Sequence, residues 1–462
     1  MSNNKFELHD PVHFIGIGGC SMSGIAYILL KKGYKVQGSD VQENVYTKRI
    51  ALLGVKIYLS HKEGNVGNAR TVVYSSAVSP DNAELLVAKQ KGLKIFSRGQ
   101  MLAHLMDNST GIAVCGTHGK TTTSSLISFL LLRAGLNPTF IVGGDVEDLG
   151  GNAHIGDKDL FVAEADESDS SFLLLSPSFE VITNIEAEHL DHYKTFANLK
   201  DAFLKYIQNI KDRGWLLACG DDEVVKDMLL TQKKNIKAQV ITYGIESSNT
   251  IYASNIQTDN GKKCFDVNFK GKYLGRMKIS LLGIHNVKNV LPSIVIGLHY
   301  GLKWEQMVEI LPQFKGVGRR FQIKGKYKGA LVVDDYAHHP TEIKATLQMA
   351  DELKPKRKIA IFQPHRYTRT QHFACQFAEV LKDVDIPILI PIYAASEKPI
   401  PGVTSELICN HLEKLGALPL YFQEKEEAVA YLKNTVQPDD IVLTIGAGDV
   451  YKIGEKLIGS SQ

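Results

Sequence analysis

The chain has 462 residues, 44% of them hydrophobic and 22% charged, an ordinary balance for globular domains and enough length for about three of them. Its 53 lysines and arginines against 50 aspartates and glutamates leave no polycationic surface, so neither a nucleic acid nor an anionic membrane is an expected partner. No apolar run reaches the roughly 18 residues a membrane span needs, "MSNNKFELHDPVHF" does not read as a secretory signal, and six scattered cysteines without a CxxC pair fit reduced thiols in a cytoplasm.

In chain order, "HFIGIGG" is a short apolar run, "SGIAYILLKKG" is helical and stopped by Gly33, and "YKVQGSD", "TVVYSSA" and "LKIFSR" follow at α/β spacing. A parallel sheet with right-handed crossovers is the economical arrangement. The first run opens a turn, Gly16-Ile17-Gly18-Gly19-Cys20-Ser21, that approximates the dinucleotide fingerprint GxGxxG but has Ser21 at its third position. Such a turn at a helix N-terminus suits a diphosphate, and Asp40, closing the second run, is placed to take a ribose hydroxyl. A nicotinamide-dependent dehydrogenase is the competing reading of this turn.

After the polar "MDNSTG" near residue 108, a buried strand runs into Gly116, Thr117, His118 and Gly119, and a helix leaves at Lys120. Glycines let backbone N–H groups close on an anion, the helix start adds its positive dipole end, Lys120 can reach β and γ phosphates, and the Thr121 hydroxyl can bind Mg²⁺. The loop wants a nucleoside triphosphate, although Gly116 to Gly119 spans fewer positions than the usual phosphate loop. "DLFVAEADESDSSF" is a strand ending in acids, where carboxylates can supply hard oxygen ligands to magnesium. Glu164 is first in line, with Asp166, Glu167 and Asp169 as alternatives. "TNIEAEHLDHY" places His189, Asp191 and His192 just beyond another strand, and His189 is a candidate for a second divalent ion.

Residues 238 to 282 alternate apolar and polar positions around "DNGK", which predicts antiparallel strands appended to a parallel core. "FKGVGRRFQ" reads as a linker. Beyond it, "ALVVDD", "KIAIFQP", "DIPILIPI", "LPLYF" and "DIVLTIGAG" alternate with amphipathic helices as another open α/β sheet, and "DDYAHHP" and "FQPHRYTRT" put Asp335, His338, His339, Arg366 and Arg369 at strand ends. Two arginines three apart can fork onto carboxylates or phosphates. The fold class is therefore α/β in three domains: an N-terminal Rossmann-like parallel sheet over 1–106, a central P-loop ATPase-type domain with extra antiparallel strands over 107–317, and a Rossmann-like C-terminal domain over 318–462.

These blocks, from "HFIGIGGCSMSGIA" through "GTHGKTTT", "EADESD", "NIEAEHLDHY", "GIHNVKNV", "GVGRRFQ", "DDYAHHP" and "FQPHRYTRT" to "TIGAGDV", together resemble the Mur ligases, ATP-dependent amide-forming enzymes of peptidoglycan precursor synthesis. The resemblance implies a role in cell-wall growth, cell shape and division. It also implies a reaction in which L-alanine is joined to the carboxylate of UDP-N-acetylmuramate, with ATP as co-substrate, Mg²⁺, in two ions, as cofactor, and a homodimer as one assembly open to the chain. By position, Gly16, Gly18, Gly19, Ser21 and Asp40 would hold the UDP part. Gly116, Thr117, His118, Gly119, Lys120, Thr121 and Thr122 match the ATP loop, with Thr121, Glu164 and His189 at the metals. His285, Asn286 and Asn289 match the adenine side, while Arg320 and Asp335 match phosphate and ribose contacts. His338, Arg366 and Arg369 would orient the muramoyl carboxylate and the incoming amino acid. The C-terminal domain is expected to act as a lid that keeps water from an acyl phosphate. A tripeptide-adding recycling ligase is the alternative within the family.

Overall fold

In the computed structural model, residues 8–395 and 397–459 are described, except for the side chain of Asp191. The chain divides into two compact units, one comprising 1–257, 264–280 and 286–315, the other 258–263, 281–285 and 316–462. Each apolar run at the start of the sequence becomes a short buried strand. β1 (Val12–Ile15), β2 (Val36–Ser39), β3 (Lys56–Tyr58), β4 (Thr71–Tyr74) and β5 (Lys94–Ser97) form a parallel sheet in the order β3-β2-β1-β4-β5. The order reverses direction at β1, which puts the Gly16–Gly19 turn at a topological switch point.

The same unit holds a ten-stranded sheet ordered β15-β14-β13-β12-β11-β10-β6-β9-β7-β8. Its strands are β6 (Thr110–Cys115), β7 (Thr139–Ile141), β8 (Ala153–His154), β9 (Leu160–Glu164), β10 (Phe179–Ile182), β11 (Trp215–Cys219), β12 (Gln239–Gly244), β13 (Ile251–Asp259), β14 (Lys262–Phe269) and β15 (Lys272–Ile279). β6 is buried along nearly its whole length and lies parallel between β9 and β10, so three carboxyl ends open side by side. The antiparallel region begins later than the sequence pattern predicts, because β12 pairs parallel with both β11 and β13. From β13 onward two-residue connections permit only hairpins. Asn260 and Gly261 (φ 49° and 70°) and Lys270 and Gly271 (φ 50° and 75°) all take the left-handed conformation that a type I′ turn requires.

In the other unit, β16 (Gln322–Tyr327), β17 (Ala330–Asp335), β18 (Lys358–Phe362), β19 (Ile386–Leu389), β20 (Leu420–Tyr421) and β21 (Ile441–Ile445) are ordered β16-β17-β21-β18-β19-β20. Five of these are the predicted parallel runs. The sixth, β16, has no apolar alternation to announce it: it is an edge strand, antiparallel to β17, with Ile323 exposed and the pairing register shifting between Ile323 and Gly325.

The helix Lys120–Arg133 that follows β6 is buried from Thr121 to Leu131, and two of its serines bond back to their own backbone, Ser124 Oγ donating to Thr121 O and Ser128 Oγ to Ser124 O. Among the described residues, other buried polar groups have no such outlet, and one of them is ionisable and isolated from any cation. Glu180, on β10 opposite Ala113, is fully buried, and among the described residues neither carboxylate oxygen has a hydrogen-bond partner, nor does the nearby Tyr206 hydroxyl. Burial pushes the Glu180 carboxyl well above its ordinary 4.5, so it is held as the neutral acid.

The unfolded chain releases this proton near pH 4.5 while the folded chain keeps it, so the parent should lose stability as pH rises above that value. Glu180→Leu, which removes both the proton and the orphaned oxygens, is expected to raise stability by about 1–3 kcal/mol at neutral pH, with the gain growing as pH rises. Urea denaturation across pH 5–8 checks this; a gain that is absent or independent of pH counts against a buried neutral acid.

Candidate active site

Gly116 and Gly119 cannot be replaced without strain. Their φ angles are 121° and 84°, and an added Cβ would lie 2.2 Å from Thr183 Oγ1 and 2.8 Å from Asn289 Oδ1 respectively. Residues just after β10 hold the loop between them. Asn184 O accepts from Thr117 N (3.0 Å), Asn184 Oδ1 from His118 N (2.8 Å), and Asn184 Nδ2 donates to His118 O (2.9 Å), while Thr183 Oγ1 donates to the same carbonyl (2.6 Å). The amides of Thr117 and His118 are thus turned inward. The anion-facing donors are instead the first-turn amides of the helix, Lys120 to Thr122, which have no intrahelical partner.

Lys120 folds back under this loop. Its ammonium donates to Gly116 O (2.6 Å), Thr117 O (3.2 Å) and Glu167 Oε1 (2.7 Å). Burial opposes its charge, but Glu167 and Glu164 outweigh that and raise its pKa, so it stays cationic. Burial pushes Glu167 up to about 7, with Lys120 pulling the other way.

The acids after β9 are sorted by their cations. Arg98, at the start of the helix Arg98–Met106 and only 7% exposed, uses Nη2 to reach Asp166 Oδ2 (2.9 Å), Asp169 Oδ2 (3.0 Å) and Ser171 Oγ (2.8 Å). Asp166 and Asp169 brace the loop, and Glu167 belongs to Lys120. Glu164 accepts from Gly143 N (3.0 Å), and among the described residues it takes no part in the bonds to Arg98 and Lys120 that the other three make. His189 sits at positive φ (56°), with Nε2 3.8 Å from Glu167 Oε1 and 3.7 Å from Glu188 Oε2. His192 is engaged with Ser170 Oγ (2.7 Å). Carboxylate and hydroxyl oxygens with one imidazole are a donor set that suits a hard divalent cation. On the next helix, Ile284–His299, the buried Asn289 donates to Asn286 Oδ1 (3.1 Å) and backs Gly119; His285 opens the same helix.

At the first sheet, Asp40 is committed to the turn itself: Oδ2 accepts from Gly18 N (2.8 Å) and Oδ1 from Gln42 N (3.2 Å), while Asn44 Nδ2 donates to Gly18 O (3.1 Å). Gly16 has φ 81°, Gly19 caps the helix Cys20–Lys31, and Ser21 lies in its first turn. The turn is thus pre-shaped, and its open amides belong to the helix start.

In the second unit, Asp335 at the end of β17 accepts from Phe321 N and Ala337 N (both 2.7 Å), and burial raises it to about 6 against the pull of Arg320. Arg320 reaches Glu342 Oε1 (3.3 Å), and His338 Nδ1 lies 3.0 Å from Tyr336 O. His339 caps the helix Pro340–Glu352. After β18, Arg366 sits at φ 69° as the cap of the helix Tyr367–Leu381, and Arg369 lies with Nη1 3.1 Å from His365 Nδ1. Burial, then His338, Arg369 and Arg366, drive His365 down to about 3, so it is a neutral imidazole accepting at Nδ1.

Comparison with known proteins agrees with this geometry. Residues 11–110 match the Mur ligase family catalytic domain, 114–297 the Mur ligase middle domain and 319–448 the Mur ligase glutamate ligase domain. The chain belongs to the Mur ligase family. It is 44% identical to the UDP-N-acetylmuramate–L-alanine ligase of Carboxydothermus hydrogenoformans, over 97% of this chain and 96% of that one, and 44% identical to the enzyme of that name from Aquifex aeolicus, over 96% of each. The solved UDP-N-acetylmuramate-alanine ligase of Thermotoga maritima superposes with a TM-score of 0.84 at 28% identity, covering 98% of this chain and 99% of that one.

In this Mur ligase the residues that sequence reasoning missed are supports. Asn184 and Arg98 shape the loops, and Glu167, an alternative for the metal in the sequence, holds the lysine instead. Arg319 (φ 61°) ties β17 to the loop after β21, donating to Asp334 Oδ2 (3.0 Å), Gly446 O (2.7 Å) and Gly448 O (3.0 Å) between the rings of Tyr336 and Tyr451. The adjacent arginines in "GRRF" were the one signal for it; both lie against the ring of Tyr336, but Arg319 bonds Asp334 and Arg320 bonds Glu342.

Arg98→Ala would leave two acids without their cation. A stability loss of about 2–3 kcal/mol is expected, at the low end for a broken buried pair because Asp166 is partly exposed. Denaturant titration reads it, and a loss within about 0.5 kcal/mol of zero would remove the brace from the account.

Proposed function

We propose that this chain joins L-alanine to the carboxylate of UDP-N-acetylmuramate, consuming ATP and releasing ADP and phosphate. The observation that carries the reading is the buried Lys120 ammonium at a two-glycine loop, with a helix start on one side and Glu164 on the other. A carboxylate is a poor electrophile. One of its oxygens attacks the γ-phosphorus, the bond to ADP breaks, and an acyl phosphate results. The unprotonated alanine nitrogen then attacks the acyl carbon, a tetrahedral intermediate collapses, and phosphate leaves as the amide forms.

Within unit 1, Lys120 and the first-turn amides with Thr121 and Thr122 bind the β and γ phosphates, and Asn286 and Asn289 attend the adenine, as does His285 of unit 2. Gly16, Gly18, Gly19 and Ser21 receive the UDP diphosphate, and Asp40 serves by fixing their turn. Thr121, Glu164 and His189 would hold divalent ions, two Mg²⁺ in this reading, which when bound neutralise charge on the transferring phosphoryl group. In unit 2, Arg320 and Asp335 meet ATP, while His338, Arg366 and Arg369 place the two carboxylates. The boundaries that go with these roles are 1–106 for the UDP sugar, 107–317 for ATP and 318–462 for the amino acid. No described helix is long and apolar enough to cross a membrane, and nucleotide substrates with free cysteines suit a cytoplasmic site of action.

Phosphate release is expected with UDP-N-acetylmuramate, ATP and L-alanine, and Lys120→Ala should reduce it by about 1,000-fold or more. Turnover with a tripeptide in place of L-alanine, and none with L-alanine, would assign the recycling reaction instead.

A further inference from the structure

An ammonium group has three hydrogens to donate, and in this structure Lys120 places all three, on Gly116 O, Thr117 O and Glu167 Oε1. Reading residues 116–122 as the triphosphate loop, on which this inference rests, Lys120 must surrender at least one of these acceptors to touch a phosphate. The three are not equivalent. The carbonyls are neutral and belong to a loop that ATP would cover, so a phosphate oxygen can replace either. Glu167 is 2% exposed, and among the described residues its Oε2 has no hydrogen-bond partner. If Lys120 left, a fully buried carboxylate would lose its ion-pair partner, which is far more costly than a lost neutral hydrogen bond. The acid cannot readily follow the lysine outward either, because its backbone carbonyl is held by Tyr193 Oη (2.5 Å) and Ser170 N (3.1 Å).

We propose that Glu167 is a positioning residue for the ATP reaction: Lys120 stays anchored on it and pivots, exchanging the Gly116 and Thr117 carbonyls for phosphate oxygens. The side chain therefore reaches the phosphates from a fixed point rather than from a free swing, and the entropy of holding it is already met in the folded chain.

The test is affinity, measured by calorimetry on the full chain in EDTA, for an ATP mimic with a non-hydrolysable β,γ bridge and for AMP, which lacks the phosphates Lys120 contacts. Wild type, Lys120→Ala, Glu167→Gln and Glu167→Asp are compared, each checked for an unchanged melting temperature. Glu167→Gln is expected to weaken the mimic about tenfold and leave AMP within about twofold, while Glu167→Asp, which keeps the charge, loses about threefold on the mimic. Should Glu167→Gln fail to fold, the selective loss in Glu167→Asp decides alone. Unchanged or tighter mimic binding overturns the proposal, since the carboxylate would then be idle or a competitor. Equal losses for mimic and AMP, or a loss seen only when Mg²⁺ is added, overturn it as well, because Glu167 would then shape the loop at large or act through a metal. If wild type and Lys120→Ala both bind mimic and AMP alike, the triphosphate reading itself fails and takes this inference with it.

Discussion

Lys120 is 16% exposed, and burying an ammonium to that extent is tolerable only where anions and dipoles replace its water. Glu167 and the carbonyls of Gly116 and Thr117 do so, and the remaining features of the loop follow from their arrangement. The carbonyls can point at the lysine only if the loop turns inward, which is why Gly116 and Gly119 take positive φ and why Asn184 collects the amides of Thr117 and His118. Turning those amides inward leaves the helix start as the donor surface. The phosphate site proposed here would therefore be made of one helix terminus and one pre-placed cation, not of a ring of loop amides.

The same electrostatic reasoning divides the four acids of "EADESD". Charge alone would let any of them bind a metal, but each carboxylate that has a buried cation within reach is already spent on it. Arg98 takes Asp166 and Asp169, and it lowers Asp169 against the effect of burial. The strand end fixes Glu164 with one backbone amide, and it acts on Lys120 and Arg98 through charge without a hydrogen bond among the described residues, which leaves its oxygens as the ones proposed for an incoming ion. Four similar residues within six positions thereby acquire three different tasks.

Much of this was legible in the sequence, and the part that was not has a consistent physical character. The parallel runs of all three sheets announce themselves because strands buried on both faces are continuously apolar, as in "GIAVC" and "IVLTI". β16 went unread because a polar edge strand carries no such signal, and β12 was assigned to the antiparallel region because period-two alternation reports a half-exposed strand without reporting its partner's direction. At the site, residues of special chemistry were visible and their supports were not. Asp40 shows why: its distance from the GxG turn suggested a ribose ligand, and its part in shaping the turn, accepting from Gly18 N and Gln42 N, could not be read from that spacing. Spacing along the chain marks a residue as near a turn, but only the folded backbone shows which amides of the turn it accepts from.

The second unit repeats the logic with the opposite sign. His338, Arg366 and Arg369 crowd around His365, and together with burial they keep its imidazole neutral down to about pH 3. A neutral ring accepting at Nδ1 from Arg369 must carry its proton on Nε2, so it is a fixed donor there and orients the guanidinium without adding a competing charge. Tyr393 stacks on its other side at 5.8 Å and 10°, and its carbonyl holds Arg366 N, which locks the strained cap that aims Arg366. The Arg369 guanidinium is thus held on His365, next to the backbone turn that carries Arg366, in the region proposed to receive carboxylates. Where the first unit holds one cation beneath a loop, the second holds Arg369 against an uncharged imidazole, and in both the neighbouring groups fix the position of the charge as well as its sign.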